Sequence, residues 1–222
     1  MLISDLRKSF VSPAGERLDV LRGVSFSARP GEALAIIGAS GAGKTTLLNL
    51  LGGLETPDHG NIFLGEFAVD SATPSALAGF RRTHVGFLFQ FHHLLPDLSA
   101  VENVALPLAI ARTSWREAMD RATKSLETLA LGDRLKHAVG RLSGGEQQRV
   151  AVSRALITNP SFVFADEPTG NLDASFTAEI GKTLVNYARN RAATVIIATH
   201  NENLAQLCDR TMVLTGGILC EA

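Results

Sequence analysis

The run Gly38-Ala39-Ser40-Gly41-Ala42-Gly43-Lys44-Thr45-Thr46 has the G-x-x-x-x-G-K-[ST] spacing of a phosphate-binding loop. Its glycines let the backbone curl so that successive N–H groups converge on phosphate oxygens. A helix starting at the end of the loop would add its partial positive charge. Lys44 is then placed to reach the β- and γ-phosphates of a nucleotide, and the Thr45 hydroxyl to ligate Mg²⁺. Further on, Phe162-Val163-Phe164-Ala165-Asp166-Glu167 is an apolar run that ends in two acids. In an open parallel sheet ligands sit beyond the carboxyl ends of the strands, so both carboxylates are expected beside the phosphates. Asp166 suits the metal side, and Glu167 suits a general base or polariser of the attacking water.

A third segment is Leu142-Ser143-Gly144-Gly145-Glu146-Gln147-Gln148-Arg149. Ser143 with Glu146 three residues on is a capping box, which needs no ligand. Two adjacent glycines are more than a cap requires, and they expose backbone N–H groups at a helix N-terminus as a second anion site. One γ-phosphate has little use for two such nests from one chain. A second copy supplying the other is therefore the expected arrangement.

The elements that must position these groups are read from periodicity. The first 70 residues read as short strands and turns, with strands at 21–26, Ala33–Ile37 and 61–64 and a helix over 47–51 after the glycine loop. Residues 71–75 read as a polar external loop. Trp115, Met119, Ala122, Leu126 and Leu129 recur at helical spacing, a stripe that predicts packing rather than a ligand site. Pro96 and Pro107 bracket a helix-compatible run over 101–106. Strands at 162–165 and 194–198 flank a helix carrying Phe176, Ile180 and Leu184, and 211–214 with 218–220 predict a closing hairpin. Strands apolar on both faces, alternating with helices, predict a mainly parallel α/β sheet.

Composition narrows the function classes. In 222 residues, Lys+Arg 21 against Asp+Glu 22 leaves a net charge of −1, and with no basic run there is no electrostatic case for nucleic-acid binding. Cys208 and Cys220 are expected as buried or half-buried small hydrophobes in a reducing compartment. The N-terminus carries an early acid and no apolar stretch, so neither a signal peptide nor a membrane span is expected. Any membrane link would be made through a partner.

With further residues, these motifs make almost the whole chain resemble the ATP-binding-cassette ATPases. On that resemblance 38–46 is the family's phosphate loop, 142–149 its signature motif, and Val163-Phe164-Ala165-Asp166-Glu167 the second Walker segment with its catalytic glutamate. Asn171-Leu172-Asp173 resembles the loop that links paired sites. Gln90, in Phe87-Leu88-Phe89-Gln90, resembles the glutamine that touches Mg²⁺ and the attacking water, and whose loop faces a membrane partner. His200 resembles the histidine that contacts the γ-phosphate. Phe10 stands where the family places an adenine-stacking aromatic residue, often Tyr. Asn201 stands where Asp commonly follows the histidine.

The resemblance implies an α/β P-loop fold in a single nucleotide-binding domain over 1–222. That fold has a mainly parallel core sheet, an N-terminal antiparallel β subdomain and a helical subdomain inserted at approximately 91–158. It implies ATP and Mg²⁺ as cofactors, and two copies paired head to tail. Each of two shared ATP sites would lie between one chain's phosphate loop and the other's Ser143-Gly144-Gly145. It also implies integral membrane transporter subunits as partners. The stretch 86–104, GFLFQFHHLLPDLSAVENV, is similar to the branch that releases lipoproteins from the outer leaflet of the bacterial inner membrane. The segment His137-Ala138-Val139-Gly140-Arg141 lacks the proline usual in that branch. On this reading the chain is a translocase subunit on the cytoplasmic side of that membrane. Related macrolide or peptide efflux and cell-division complexes are the alternative, whereas soluble translation or repair cassettes carry a second cassette or long coiled coils.

Overall fold

The computed structural model describes residues 1–170 and 174–222. Strands β1 (Leu2–Val11) and β2 (Arg17–Ser27) bury Ile3, Leu6, Leu21, Val24 and Phe26. Ile3/Leu6 and Leu21/Val24 are three residues apart rather than two, and the register shifts on either side of the Leu6–Val24 pair let both strands bury them together. Strand β3 (Ala33–Ile37) is instead an apolar run buried at Ala33, Leu34, Ala35 and Ile36. The phosphate loop follows it and opens directly into α1 (Lys44–Leu51), whose Leu47, Leu48, Leu50 and Leu51 all enter the core. Strands β4 (His59–Leu64) and β5 (Phe67–Ala68) complete a four-stranded antiparallel sheet of order β2-β1-β4-β5.

The loop expected at 71–75 holds for 71–73, but its last two residues already belong to helix α2 (Pro74–His84). Thr73 caps it, and Pro74 occupies the first turn, where its missing N–H costs nothing. Strand β6 (Val85–Leu88) then leads to Gln90 and on to α3 (Ala100–Ile110), which has a complete Ser99/Glu102 capping box. Pro107 lies inside α3 rather than ending it, a second correction. Val104 and Leu108 on either side of the proline are buried, so packing holds the helix across the lost hydrogen bond. Helices α4 (Trp115–Thr128) and α5 (Gly144–Leu156) join α3 around a separate core that includes Val101, Val104, Ala122, Leu126 and Val150.

Strands β7 (Phe162–Asp166) and β8 (Thr194–Thr199), linked by α6 (Ala174–Arg191), rejoin the main sheet. After α7 (Glu202–Ala205), β9 (Arg210–Thr215) and β10 (Ile218–Glu221) close the chain as a hairpin. The six strands run in the order β10-β9-β3-β8-β7-β6, and all pairs except β9/β10 are parallel. Cys208 is half-buried, but Cys220 is exposed on β10, against the burial expected for it. The register matters most for function. Ile37 pairs Thr199, and Asp166 pairs Ala198, so β3, β7 and β8 end side by side. Their carboxyl ends carry the phosphate loop, the two acids and His200.

Candidate nucleotide site

At that end lies a cavity of about 560 Å³ lined by Phe10, Val20, Ser40, Gly41, Gly43, Lys44, Thr45, Thr46, Gln90, Asp166, Glu167 and His200. The fold thus gathers residues from six separate segments. Val20 is the one lining residue that the sequence did not single out. It shares the cavity mouth with Phe10, because β1 and β2 pair as a hairpin whose ring and methyl groups form an apolar wall. Gly38, Ala39 and Ala42, expected at the nucleotide, belong to the loop but do not line the cavity. The Lys44 Nζ donates to the Gly38 carbonyl at 2.8 Å and to the Ala39 carbonyl at 3.1 Å.

Two of the loop's glycines are required by geometry. Gly43 adopts φ +100°, a left-handed turn that ends the loop and starts α1, and a Cβ there would meet Val20 at 2.8 Å. A Cβ on Gly38 would stand 2.4 Å from the Leu214 carbonyl of β9, so the sheet itself excludes a side chain.

Glu167 sits at φ +44°, in the left-handed region that costs a non-glycine residue about 1–3 kcal/mol. The surroundings hold it there. Its N–H donates to the Ala198 carbonyl at 2.8 Å, and its own carbonyl accepts from Gly170 N–H at 3.0 Å. The carboxylate accepts from Thr199 Oγ1 at 3.1 Å and from His200 N–H at 3.3 Å. His200 Nδ1 lies 2.9 Å from its other oxygen and Lys44 Nζ 3.7 Å away. The strained turn aims a nearly buried carboxylate into the cavity beside the lysine.

Asp166 accepts the Thr45 hydroxyl at 2.6 Å. Burial pushes its carboxyl above the ordinary value of 3.8, against the Thr45 hydrogen bond; the Glu167 carboxylate adds to the rise and Lys44 opposes it. A hydroxyl, a carboxylate and the Gln90 amide around one cavity form a hard oxygen donor set, which fits Mg²⁺. The raised value also makes a stability statement. Asp166 binds its proton more tightly folded than unfolded, so its contribution is favourable below 3.8 and is lost as pH rises through the folded value. Asp166→Asn is therefore expected to raise the melting temperature of the nucleotide-free chain at pH 7.5 while abolishing Mg²⁺-dependent turnover. In a thermal melt, the gain should shrink as pH is lowered toward 4.

The segment Ser143-Gly144-Gly145 does not line this cavity. It forms the N-terminus of α5, where Ser143 Oγ accepts from Glu146 N–H at 3.3 Å and the Glu146 carboxylate accepts from Ser143 N–H at 2.8 Å. Arg134 Nε, 2.9 Å away, braces the same carboxylate. These backbone and side-chain bonds hold the Glu146 carboxyl below the usual range. Gly144 faces open space, with no atom within 4 Å of where a Cβ would stand. The turn is built and braced, and it takes no part in lining its own chain's cavity. Asn171-Leu172-Asp173, the segment read as linking paired sites, lies outside the described residues.

Residues 21–170 match the model of a family described as ABC transporter. The chain is 46% identical over 202 residues, 91% of its length and 92% of the relative, to the lipoprotein-releasing system ATP-binding protein LolD of Cytophaga hutchinsonii. It is also 46% identical over 216 residues, 97% and 95% of the two chains, to the LolD of Geobacter metallireducens. Among solved structures, a dimeric post-hydrolysis state of the ATP-binding cassette MJ0796 bound to ADP and Pi superposes with a TM-score of 0.92 at 33% identity, covering 99% of this chain and 96% of the other.

Proposed function

The chain belongs to the ABC transporter family, and from that premise we propose that it is the ATPase subunit of a lipoprotein-releasing complex, working as a head-to-tail pair beneath integral membrane subunits. The observation that carries the pairing is the separation of two phosphate-facing devices within one chain. Lys44 and Glu167 line one cavity, while the Ser143-Gly144-Gly145 turn does not line it and Gly144 is open to its surroundings. Only a second copy can bring such a turn to the open side of that cavity, completing two sites per pair. The dimeric state of MJ0796, a structural neighbour at 33% identity, supports this arrangement.

In the mechanism the chain's residues divide the work. Phe10 and Val20 offer the apolar wall on which adenine stacks. The loop N–H groups and Lys44 hold the phosphates, and Thr45, Asp166 and Gln90 would hold Mg²⁺. When bound, the ion neutralises charge on the β- and γ-phosphate oxygens. Glu167 accepts the proton of the attacking water, oriented by the Thr199 hydroxyl. His200, with its ring against Glu167, touches the γ-phosphate and ties its position to that of the base. The partner's Ser143-Gly144-Gly145 turn then closes over the same phosphate with its backbone donors.

No described helix is long and apolar enough to cross a membrane. A groove of about 440 Å³ beside the loop after Gln90 is lined by Phe87, Phe89, Leu106, Pro107 and Ile110, with Arg81, Arg82 and Arg154 at its edges. It suits an apolar segment of a membrane subunit reaching down at the cytoplasmic face, and Ile110 is left 57% exposed there. The identity to two LolD proteins across more than nine-tenths of the chain supports lipoprotein as the cargo class. Affinity purification from native membranes is expected to recover integral membrane subunits with the chain. Depleting the chain is then expected to leave lipoproteins in the inner membrane. Recovery of soluble partners alone, or normal lipoprotein sorting after depletion, would overturn the reading.

A further inference from the structure

Helix α5 bonds to two segments in ways that neither nucleotide binding nor capping requires. Gln148, one turn in from the Ser143-Gly144-Gly145 turn, is 2% exposed, and its Nε2 donates to the Pro168 carbonyl at 2.6 Å. Pro168 directly follows Glu167, so this bond anchors the far side of the strained turn that aims the carboxylate. The neighbouring Gln147 Nε2 donates to the Val139 and Leu142 carbonyls at 3.0 and 3.1 Å. On the next turns of the helix, Arg154 donates to the His93 carbonyl at 2.6 Å and to that of His92. The Gln148 amide therefore ties α5 to the base's turn, and Arg154 ties the same helix to the loop that carries Gln90.

We infer that Gln148 is a positioning residue that sets Glu167 through the Pro168 carbonyl, so that the place of α5 against the partner's nucleotide governs the base of its own chain's site. This rests on the paired reading above. A shift of α5 as its N-terminal turn closes on the partner's phosphate moves the Gln148 amide with it, because the helix is rigid and the amide is packed. A bond of 2.6 Å passes that shift to the turn that holds Glu167 at φ +44°. Hydrolysis at one site is thereby linked to occupancy of the other.

Two variants test this in the full chain. Gln148→Met keeps the volume and loses the donor, and Gln148→Asn keeps an amide too short to reach Pro168. Each is expected to lower kcat about tenfold, the effect of leaving one buried carbonyl unpaired. KM for ATP and ATP-driven pairing should stay at wild-type values. In a Glu167→Gln background, Gln148→Met should cost nothing further in the residual rate, because the residue acts only through that carboxylate. A wild-type kcat in both variants overturns the inference, as does an equal tenfold fall in the Glu167→Gln background. Failure of both variants to fold assigns Gln148 a purely structural role and also overturns it. A wild-type chain that hydrolyses ATP without pairing overturns the paired reading itself, and the linkage with it.

Discussion

Replacing Glu167 by Gln is expected to lower ATP turnover on the order of 10³-fold, the scale of a lost general base, while nucleotide binding persists. The amide has the shape of the carboxylate and keeps an oxygen for the Thr199 hydroxyl and the His200 N–H. It cannot take the proton of the attacking water. Lys44 and Thr45, to which the proposed mechanism assigns the phosphates and the metal, are untouched. Removing a negative charge 3.7 Å from Lys44 Nζ also frees that ammonium for the γ-phosphate, so affinity should hold or rise. With chemistry blocked, ATP stays in place and the closed pair accumulates. Phosphate release and equilibrium ATP binding, measured on the same preparation, check both halves of the expectation. A turnover within threefold of wild type would remove Glu167 from the role of base.

Gly144→Trp should be nearly as damaging, for a different reason. Gly144 is the first residue of α5, its surroundings are open, and its backbone is not in the left-handed region, so an indole fits the isolated chain without strain. Gly144 also does not line the chain's own nucleotide cavity. Folding and ATP binding by one chain should therefore be normal. In the pair, however, the indole would stand where the partner's γ-phosphate must approach the backbone donors. Losing donors aimed at a transferring group costs roughly 10²–10³ in rate, and turnover should fall by that order. Thermal melting, ATP affinity and steady-state hydrolysis of the purified variant separate these effects.

Much of the site was legible because phosphate chemistry demands neighbours in sequence. The loop from Gly38 to Thr46 needs consecutive backbone N–H groups, and β3 before it was bounded correctly because its apolar run ends where the loop begins. The acids after β7 followed from the same logic of strand ends. What could not be read was set by tertiary approach. Leu214, far along the chain, is what forbids a side chain at Gly38, and the sheet order that brings them together has no local signal. Val20 lines the cavity beside Phe10 only because β1 and β2 pair. Pro107 reads as a helix end until the packing of Val104 and Leu108 is known, and Pro74 reads as loop until Thr73 is seen to cap α2. Gln148 looked like one more polar residue of a signature helix. Its burial against Pro168, twenty residues on, gives it a separate role.

The central claim is that the Ser143-Gly144-Gly145 turn serves a neighbour's nucleotide and not its own. Sedimentation of Glu167→Gln with and without Gly144→Trp, each at saturating ATP, tests it most directly. The single variant is expected to sediment as a pair and the double variant as one chain, with both chains binding ATP equally well when dilute. A double variant that still pairs on ATP, or one whose single chain no longer binds ATP, would contradict the account.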